Sequence, residues 1–275
     1  MDMQEKPAGP GSRIHRMPTV FGPAVGPRQA PEGVVFDQSR SPRRFCVYVA
    51  FRTDPGRLQG MLPRGFTTRA DPVIVFEFSY LSEIDWLAGR GYNMLTVRFP
   101  ARYRHEGLDI DGFFQPVVWE NLTEPILSGR EELGWNKVFA DLPEPVHSAG
   151  GVSCCAQWMG FRFIELEISG LAAAERPEIA TLPVLNHKYV PATQAWGEAD
   201  VDYVTMTPAG ASSARLLEAA SGRASLRIHR PEWEDMPTQH LCVAALADLP
   251  VLGYVSAGTY AMVGGKDLSD QVRFL

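Results

Sequence analysis

The chain has 275 residues, 45% of them hydrophobic and 21% charged, which is typical of a globular protein with one large or two small domains. Its formal net charge is −6 and it has no dense block of lysine and arginine, so nucleic acid is not an expected partner. It also has no run of about 18 apolar residues and no signal-peptide layout at its N-terminus. We therefore expect a cytoplasmic protein that has no membrane partner.

The first segment of the chain, residues 1–35, is rich in proline, glycine and arginine, which predicts a partly ordered N-terminal arm. Residues 36–275 show no shift of composition that would divide them, so we expect a single domain there. The four cysteines include no C-x-x-C pair and the six histidines are scattered. We therefore predict reduced thiols and no metal site.

Strand patterns dominate the predicted domain. Apolar side chains alternate with smaller or polar ones over residues 45–51, and Asp54 and Pro55 then open a short helix over 57–61. A second helix is predicted over 240–247. Further strands are predicted over 73–80, 92–103, 112–120, 135–140, 153–160, 161–168, 188–194, 224–229 and 251–262. This pattern predicts a β-rich α+β fold, with antiparallel strands in a barrel-like or multi-sheet arrangement and a few helices.

Lys137 is the most informative residue of the chain. If 135–140 is a strand, Trp135, Lys137 and Phe139 share one face, which places an amine between two aromatic side chains. Burial lowers the pKa of such an amine. An ordinary lysine is only about 0.04% free amine at pH 7, whereas a pKa lowered by roughly three units makes it nucleophilic, as iminium chemistry requires. The alternative is a surface lysine on an edge strand whose stem covers Trp135.

The segment before this lysine resembles the active-site segment of the acetoacetate decarboxylase family. Gly129, Arg130 and Glu131 are followed by a short spacer that contains an aromatic residue, and then by Lys137. In that family the first lysine of a Lys-Lys pair forms a Schiff base, and Lys137 stands in its place. Acetoacetate decarboxylase is itself a known case of an activated lysine.

The resemblance extends in order over roughly residues 30–262. It comprises an arginine before an Arg-Thr-Asp strand end, a Leu-Pro pair, a strand glutamate, a Pro-Ile pair and an Asp-Leu-Pro-Val element, which are Arg44 with 51–54, 62–63, Glu77, 125–126 and 248–251. It implies a β-barrel or cone with flanking strands, no cofactor, and a homo-oligomer. It also implies that Arg44 and Glu77 are active-site residues. Arg44 would bind a substrate carboxylate, pair with Glu77, or do both.

Two positions depart from the family pattern. Val138 replaces the second lysine, and Met94 stands where family decarboxylases carry an acidic residue. Any lowering of the Lys137 pKa must then come from burial or from another cation such as Arg44. Met94 makes the predicted pocket more apolar and adaptable. Simple decarboxylation is therefore the less favoured chemistry.

Three further side chains are candidates for the site. Glu132, or its neighbour Glu131, is a candidate general acid or base, and the alternative for each is a capping or solvated carboxylate. Tyr260 is a candidate proton donor, or a core tyrosine with a satisfied hydroxyl. Trp135 is a candidate pocket wall, or plain core.

The favoured interpretation is a lyase that acts on a small 2-oxo or 3-oxo acid through Lys137. Met94 and Val138 favour aldol condensation with dehydration, of the kind found in secondary metabolism, over decarboxylation of a 3-oxo acid such as acetoacetate. A ligand-binding member of the family without turnover is the remaining alternative.

Overall fold

A computed structural model of the protein describes residues 13–177, 179–210 and 212–275. The first twelve residues of the predicted arm lie outside the described part. Fourteen strands account for most of the regular secondary structure of these residues: β1 Arg43–Arg52, β2 Phe66–Thr68, β3 Val73–Ile84, β4 Arg90–His105, β5 Leu108–Glu120, β6 Lys137–Phe139, β7 Val146–Ser148, β8 Gly151–Trp158, β9 Phe161–Ala173, β10 Val184–Pro191, β11 Ala199–Thr207, β12 Arg215–Ile228, β13 Gly253–Val263 and β14 Val272–Phe274.

The helical elements of the described residues are short. They are α1 Pro55–Gln59, α2 Thr123–Ser128, α3 His240–Ala247, two 3₁₀ turns at Thr19–Phe21 and Asp85–Leu87, and a π-helical turn at Gly129–Leu133. Helix α1 begins two residues before the predicted range of 57–61, because the Asp54 carboxylate caps it by accepting a hydrogen bond of 2.8 Å from the Arg57 backbone N–H. None of the helices in the described part is both long and apolar enough to cross a membrane.

One sheet contains all fourteen strands. Its hydrogen-bonded order is β14-β11-β10-β5-β4-β3-β1-β13-β12-β9-β8-β7, with β2 paired to β4 and β6 paired to β5. Most neighbours are antiparallel, but β5 pairs in parallel with both β6 and β10. The prediction of a β-rich fold with few helices is confirmed. The barrel-like detail needs correction, since the strand path does not close among the described residues and the sheet is mixed.

The predicted strands agree with the structure best where alternation is long. The strand predicted over 135–140 is much shorter than expected, because only Lys137–Phe139 pairs with β5. The sequence analysis did not predict β11 and β14, which pair with each other at one end of the sheet. These short or more polar strands depend on their neighbours, so local alternation is a weak guide to them.

The central strands β1, β3, β4 and β5 have two different faces. Val47, Phe76, Leu95 and Trp119 are examples of the first face, and all four are fully buried in the main hydrophobic core. Their sequence neighbours point to the opposite face, because successive side chains of a strand alternate. The second face carries polar groups, and the candidate site is built on it.

Candidate functional site

The register of the central strands aligns polar side chains in rows. Cys46 pairs with Ser79, Ser79 with Met94, and Met94 with Glu120, so a row crosses β1, β3, β4 and β5 on one face. Directly paired residues on neighbouring strands project to the same side of a sheet. The next row runs from Glu77 through Thr96 to Val118, which pairs with Lys137 on β6. Glu120 lies two residues beyond Val118 on the same face and pairs with Phe139, so Lys137 and Glu120 are diagonal neighbours.

Lys137 is buried, with 5% of its surface exposed. Its Nζ lies 2.8 Å from Glu120 Oε1 and donates a hydrogen bond of 3.0 Å to the Pro125 carbonyl oxygen. The same nitrogen lies 5.2 Å from the centre of the Trp135 ring. The predicted burial beside Trp135 is therefore present in the structure. Phe139 is 42% exposed, so the second aromatic neighbour that the alternation predicts does not enclose the amine.

Burial shifts both partners of this contact towards their neutral forms. It lowers the pKa of Lys137 and raises the pKa of Glu120, because removing water penalises the ammonium and the carboxylate alike. The attraction between the two groups opposes both shifts, while the positive charge of Arg28 adds to the lowering at Lys137. Burial therefore shifts this lysine towards the free amine relative to an exposed lysine.

Gly129 and Arg130, in the segment that resembles the family's active-site segment, both have a structural role in this chain. A Cβ at Gly129 would lie 2.4 Å from both Cδ and Cε of Lys137, so only glycine leaves space for the lysine stem. Arg130 donates a hydrogen bond of 2.9 Å to the Lys137 carbonyl oxygen and fixes its backbone. The turn ends at Gly134, whose φ of 73° favours glycine. These residues hold the amine in place.

A cavity of about 310 Å³ opens above Lys137. Its wall combines strand residues with the N-terminal segment, the Asp85–Leu87 turn, the α2 region and the C-terminal segment. The residues that line it include Arg28, Arg44, Tyr92, Met94, Trp135, Lys137 and Lys266. Four basic side chains and two carboxylates, Asp85 and Asp267, line the cavity together with large apolar side chains. The excess of basic groups suits a small organic anion.

Arg44 is a cation of the cavity wall with a buried polar atom that lacks a partner. Its Nε is buried and has no hydrogen-bond partner within the described part of the chain. It forms no ion pair among those residues, because Glu77 is paired elsewhere. A buried guanidinium nitrogen without a partner is costly, and an anionic ligand would relieve that cost.

The N-terminal segment contributes Arg28 to the cavity. The Arg28 Nε lies 2.6 Å from Glu132 Oε2, and its other nitrogens donate to the carbonyl oxygens of Asp267 at 3.1 Å and Ser128 at 3.3 Å. Arg16 pairs with the other oxygen of Glu132. Glu132 is not among the residues that line the cavity. In this structure it ties the N-terminal segment to the turn that precedes Lys137.

Glu77 and Tyr260 belong to a separate cluster of polar residues on the same face. Glu77 Oε2 lies 3.0 Å from Arg98 Nη2 and accepts a hydrogen bond of 2.9 Å from the Tyr260 hydroxyl. Burial, together with the negative charge of Glu77, raises the pKa of Tyr260 well above its ordinary value. Cys46 lies beside them, and burial raises the pKa of its thiol to about 11. Glu77 and Tyr260 are not cavity-lining residues.

The structure therefore brings four of the predicted site residues together around one cavity, namely Lys137, Arg44, Met94 and Trp135. The sequence analysis missed Glu120 and Arg28. A signal for Glu120 was present, since it ends the apolar run of residues 117–119 and a carboxylate there needs a partner. Arg28 had no comparable signal within the Pro- and Gly-rich arm.

Known proteins resemble this chain in sequence family and in fold. The family model for acetoacetate decarboxylase matches residues 16–268. No curated protein matches the chain.

Solved structures share the fold at low sequence identity. The acetoacetate decarboxylase of Legionella pneumophila is 20% identical, with a TM-score of 0.62 over 87% of this chain and 92% of that chain. An acetoacetate decarboxylase-like enzyme from Sphingomonas wittichii RW1 is 17% identical, with a TM-score of 0.60 over 89% and 98%. The enduracididine biosynthesis enzyme MppR, complexed with pyruvate, is 17% identical, with a TM-score of 0.57 over 88% and 95%.

Proposed function

The chain belongs to the acetoacetate decarboxylase family, and from that premise we propose that it is a lyase that forms a Schiff base between Lys137 and a small 2-oxo or 3-oxo acid. The observation that carries this proposal is the buried position of the Lys137 amine at the cavity, where burial lowers its pKa. A neutral amine adds to a ketone, and the iminium that forms withdraws electrons from the neighbouring carbon. This chemistry requires no metal or organic cofactor.

Arg44 is the proposed binding group for the substrate carboxylate. Its unpartnered Nε and its place in the cavity wall support this role. A guanidinium binds a carboxylate through two parallel hydrogen bonds and so fixes the direction of the ketone. Glu77 and Tyr260 are proposed to act through Arg44, since both carry charge or polarity close to it. Trp135 and Met94 would form apolar walls for the substrate.

The favoured reaction after iminium formation is attack of the enamine on an aldehyde, followed by loss of water. Val138 and Met94 support this choice, because these apolar residues replace the second lysine and the acidic residue expected of family decarboxylases. MppR, which has a similar fold, has been solved with pyruvate and with the condensation product of pyruvate and imidazole 4-carboxaldehyde. Decarboxylation of a 3-oxo acid is the second candidate, and it starts from the same iminium.

The test is reduction with borohydride in the presence of pyruvate or acetoacetate, followed by peptide mass mapping. Only four lysines occur, at positions 6, 137, 188 and 266, so the site of an adduct is readily assigned. We expect a stable adduct on Lys137. The absence of any adduct across a panel of oxo acids would contradict the proposal.

A parallel assay separates the candidate reactions. Pyruvate with an aldehyde should yield an unsaturated condensation product, whereas rapid release of carbon dioxide from acetoacetate would favour decarboxylation. A binding protein without turnover would instead show thermal stabilisation by the oxo acid that survives Lys137→Ala, with no substrate consumed.

A further inference from the structure

We propose that Glu120 is the acid–base partner of Lys137, holding the proton that the amine releases and returning it to the hydroxyl that leaves as water. This inference rests on the proposed Schiff-base function and adds a catalytic residue to it. Glu120 belongs to none of the motifs that carry the family resemblance, and its contact with Lys137 is what places it in the site.

The geometry supports a direct exchange of a proton. Glu120 is completely buried, and its Oε1 lies 2.8 Å from the Lys137 Nζ, the atom that reacts. Neither Glu120 oxygen has a well-aligned hydrogen-bond partner within the described residues, so its contact with the Lys137 Nζ is a close ion pair defined by distance. Burial and the charge of Glu120 raise the pKa of Tyr92, and the charge of Arg28 adds to the lowering of the Lys137 pKa. A buried carboxyl group whose oxygens both lack an aligned hydrogen bond is poorly suited to a purely structural role.

The environment decides where the proton of the pair lies. An ion pair of ammonium and carboxylate would keep Lys137 unreactive. Burial penalises both charges, so the neutral combination of a free amine and a protonated carboxyl is favoured. The nucleophile and the acid that it needs are then formed in one transfer.

The steps balance in atoms and charge. The Lys137 lone pair adds to the ketone carbon, and the carbonyl π electrons move to oxygen. A proton passes from the nitrogen to that oxygen, which gives a neutral carbinolamine. Glu120 then donates its proton to the hydroxyl, which leaves as water while the nitrogen lone pair forms the C=N bond. The products are an iminium, a Glu120 carboxylate beside it, and one water molecule.

Val138 leaves room for such a partner in the chemistry of the site. With the second lysine absent from position 138, no adjacent ammonium keeps Lys137 deprotonated. The other described lysines bind elsewhere, since Lys188 donates to the Glu131 carbonyl oxygen and Lys266 to that of Pro208. A carboxyl that accepts the proton achieves the same result by a different route.

The test compares Glu120→Gln with the parent protein. The rate constant for adduct formation with pyruvate is followed by cyanoborohydride trapping across a range of pH. We expect a fall of about 10²-fold or more, as general acid–base catalysis typically contributes. In the parent, the rate should fall at low pH as Lys137 gains a proton and at high pH as Glu120 loses one. The variant should lack the fall at high pH.

Glu167→Gln is the matched control, because it removes the same charge from an exposed side chain of another strand, β9, and Glu167 does not line the cavity. It should keep both the rate and the two-sided pH profile of the parent. If the parent forms no adduct, the Schiff-base function itself fails. If the parent forms an adduct and Glu120→Gln matches its rate and profile, the role of Glu120 alone is overturned.

A second variant and a measurement on the unchanged protein cover the case in which Glu120→Gln does not fold. Glu120→Asp keeps the acid but moves it away from the amine, so the rate should fall while the high-pH limb remains. Loss of that limb in Glu120→Asp would count against the proposal. In the parent, infrared difference spectra should show a protonated carboxyl disappearing as the iminium forms, and an unchanged carboxyl band would overturn the proposal.

Discussion

Two clusters of buried polar side chains lie on the same face of the sheet, and they differ in how completely their charges are satisfied. In the first cluster, Glu77 has both the Arg98 guanidinium and the Tyr260 hydroxyl within hydrogen-bond distance. In the second, Arg44 Nε and Glu120 Oε2 have no partner in the described part of the chain, and a cavity lies above Lys137.

This difference separates groups that support a fold from groups that await a ligand. A buried ion pair whose hydrogen bonds are all made matters mainly for stability. Removing either member leaves the other charge buried and unpaired, which destabilises the fold. Unsatisfied groups around a cavity are costly to the folded protein, and such costs concentrate where substrates bind. The comparison therefore assigns loss of stability to one cluster and loss of activity to the other.

The largest effect is expected from Lys137→Met, which removes the amine from the second cluster. Activity and borohydride-dependent labelling should both fall to background, because the Lys266 amine, which also lines the cavity, is engaged by Asp270 and by the Pro208 carbonyl oxygen. Mass mapping and a product assay measure the loss. The control is Lys188→Met, since Lys188 lies outside the cavity, and its activity should remain within about twofold of the parent, as usual for residues away from a site. Labelling that persists in Lys137→Met would show that a residue other than Lys137 is the nucleophile.

The next effect distinguishes the clusters through two arginines. Arg98→Gln leaves Glu77 without its ion pair, so the free energy of unfolding should fall by about 3 kcal/mol. Arg44→Gln should change stability by about 1 kcal/mol or less, while kcat/KM for an oxo acid falls about 10- to 100-fold through loss of a charged hydrogen bond. Denaturant unfolding and steady-state kinetics give both values. Equal losses of stability in the two variants would remove the distinction.

A third effect tests how tightly the cavity wall holds the lysine. In Gly129→Ala the new methyl group overlaps the Lys137 stem, so the amine must move. We expect a loss of about 1–3 kcal/mol in stability from the overpacking. A displacement of about 1 Å should also lower kcat/KM about 10²-fold.

The matched control for this variant is Gly253→Ala, because no atom lies within 4 Å of a Cβ added at that position. It should leave kcat/KM unchanged. An active Gly129→Ala protein would mean that the lysine tolerates another position.

The sequence predicts the reactive side chains of the cavity better than it predicts their surroundings. Lys137 and Arg44 stand in ordered segments, where the resemblance identifies them. Glu120 cannot be distinguished from an ordinary strand-terminal carboxylate, because its partner lies on β6, which pairs with β5 in parallel. Arg28 is equally hidden, since its place depends on a salt bridge to Glu132 more than a hundred residues away.

The same limit applies to the fold. Alternation predicts the long central strands, because each has one face in the core. It overestimates the strand around Lys137, since the apolar residues before it serve the cavity wall rather than a β ladder. Whether the sheet closes depends on twist and pairing over the whole chain, which short-range pattern does not encode.

The smallest effect concerns pH, and it compares the parent with Lys137→Met/Glu120→Leu. Burial raises the Glu120 pKa above its ordinary 4.5, so the stability that this group contributes is complete below pH 4.5 and is lost as pH rises through the raised value. Burial lowers the Lys137 pKa below 10.5, so its contribution is complete above pH 10.5 and is lost as pH falls through the lowered value.

The pair should therefore cost most stability between the two shifted pKa values. Relative to the double variant, the parent should lose stability with rising pH above 4.5 and regain it on approach to 10.5, with a slope of at most about 1.4 kcal/mol per pH unit. At neutral pH the double variant should be the more stable protein by about 1–4 kcal/mol, as found when buried ion pairs are replaced by apolar residues. Chemical denaturation over this pH range measures the difference, and a flat curve would show that the two groups are as well satisfied as Glu77 and Arg98.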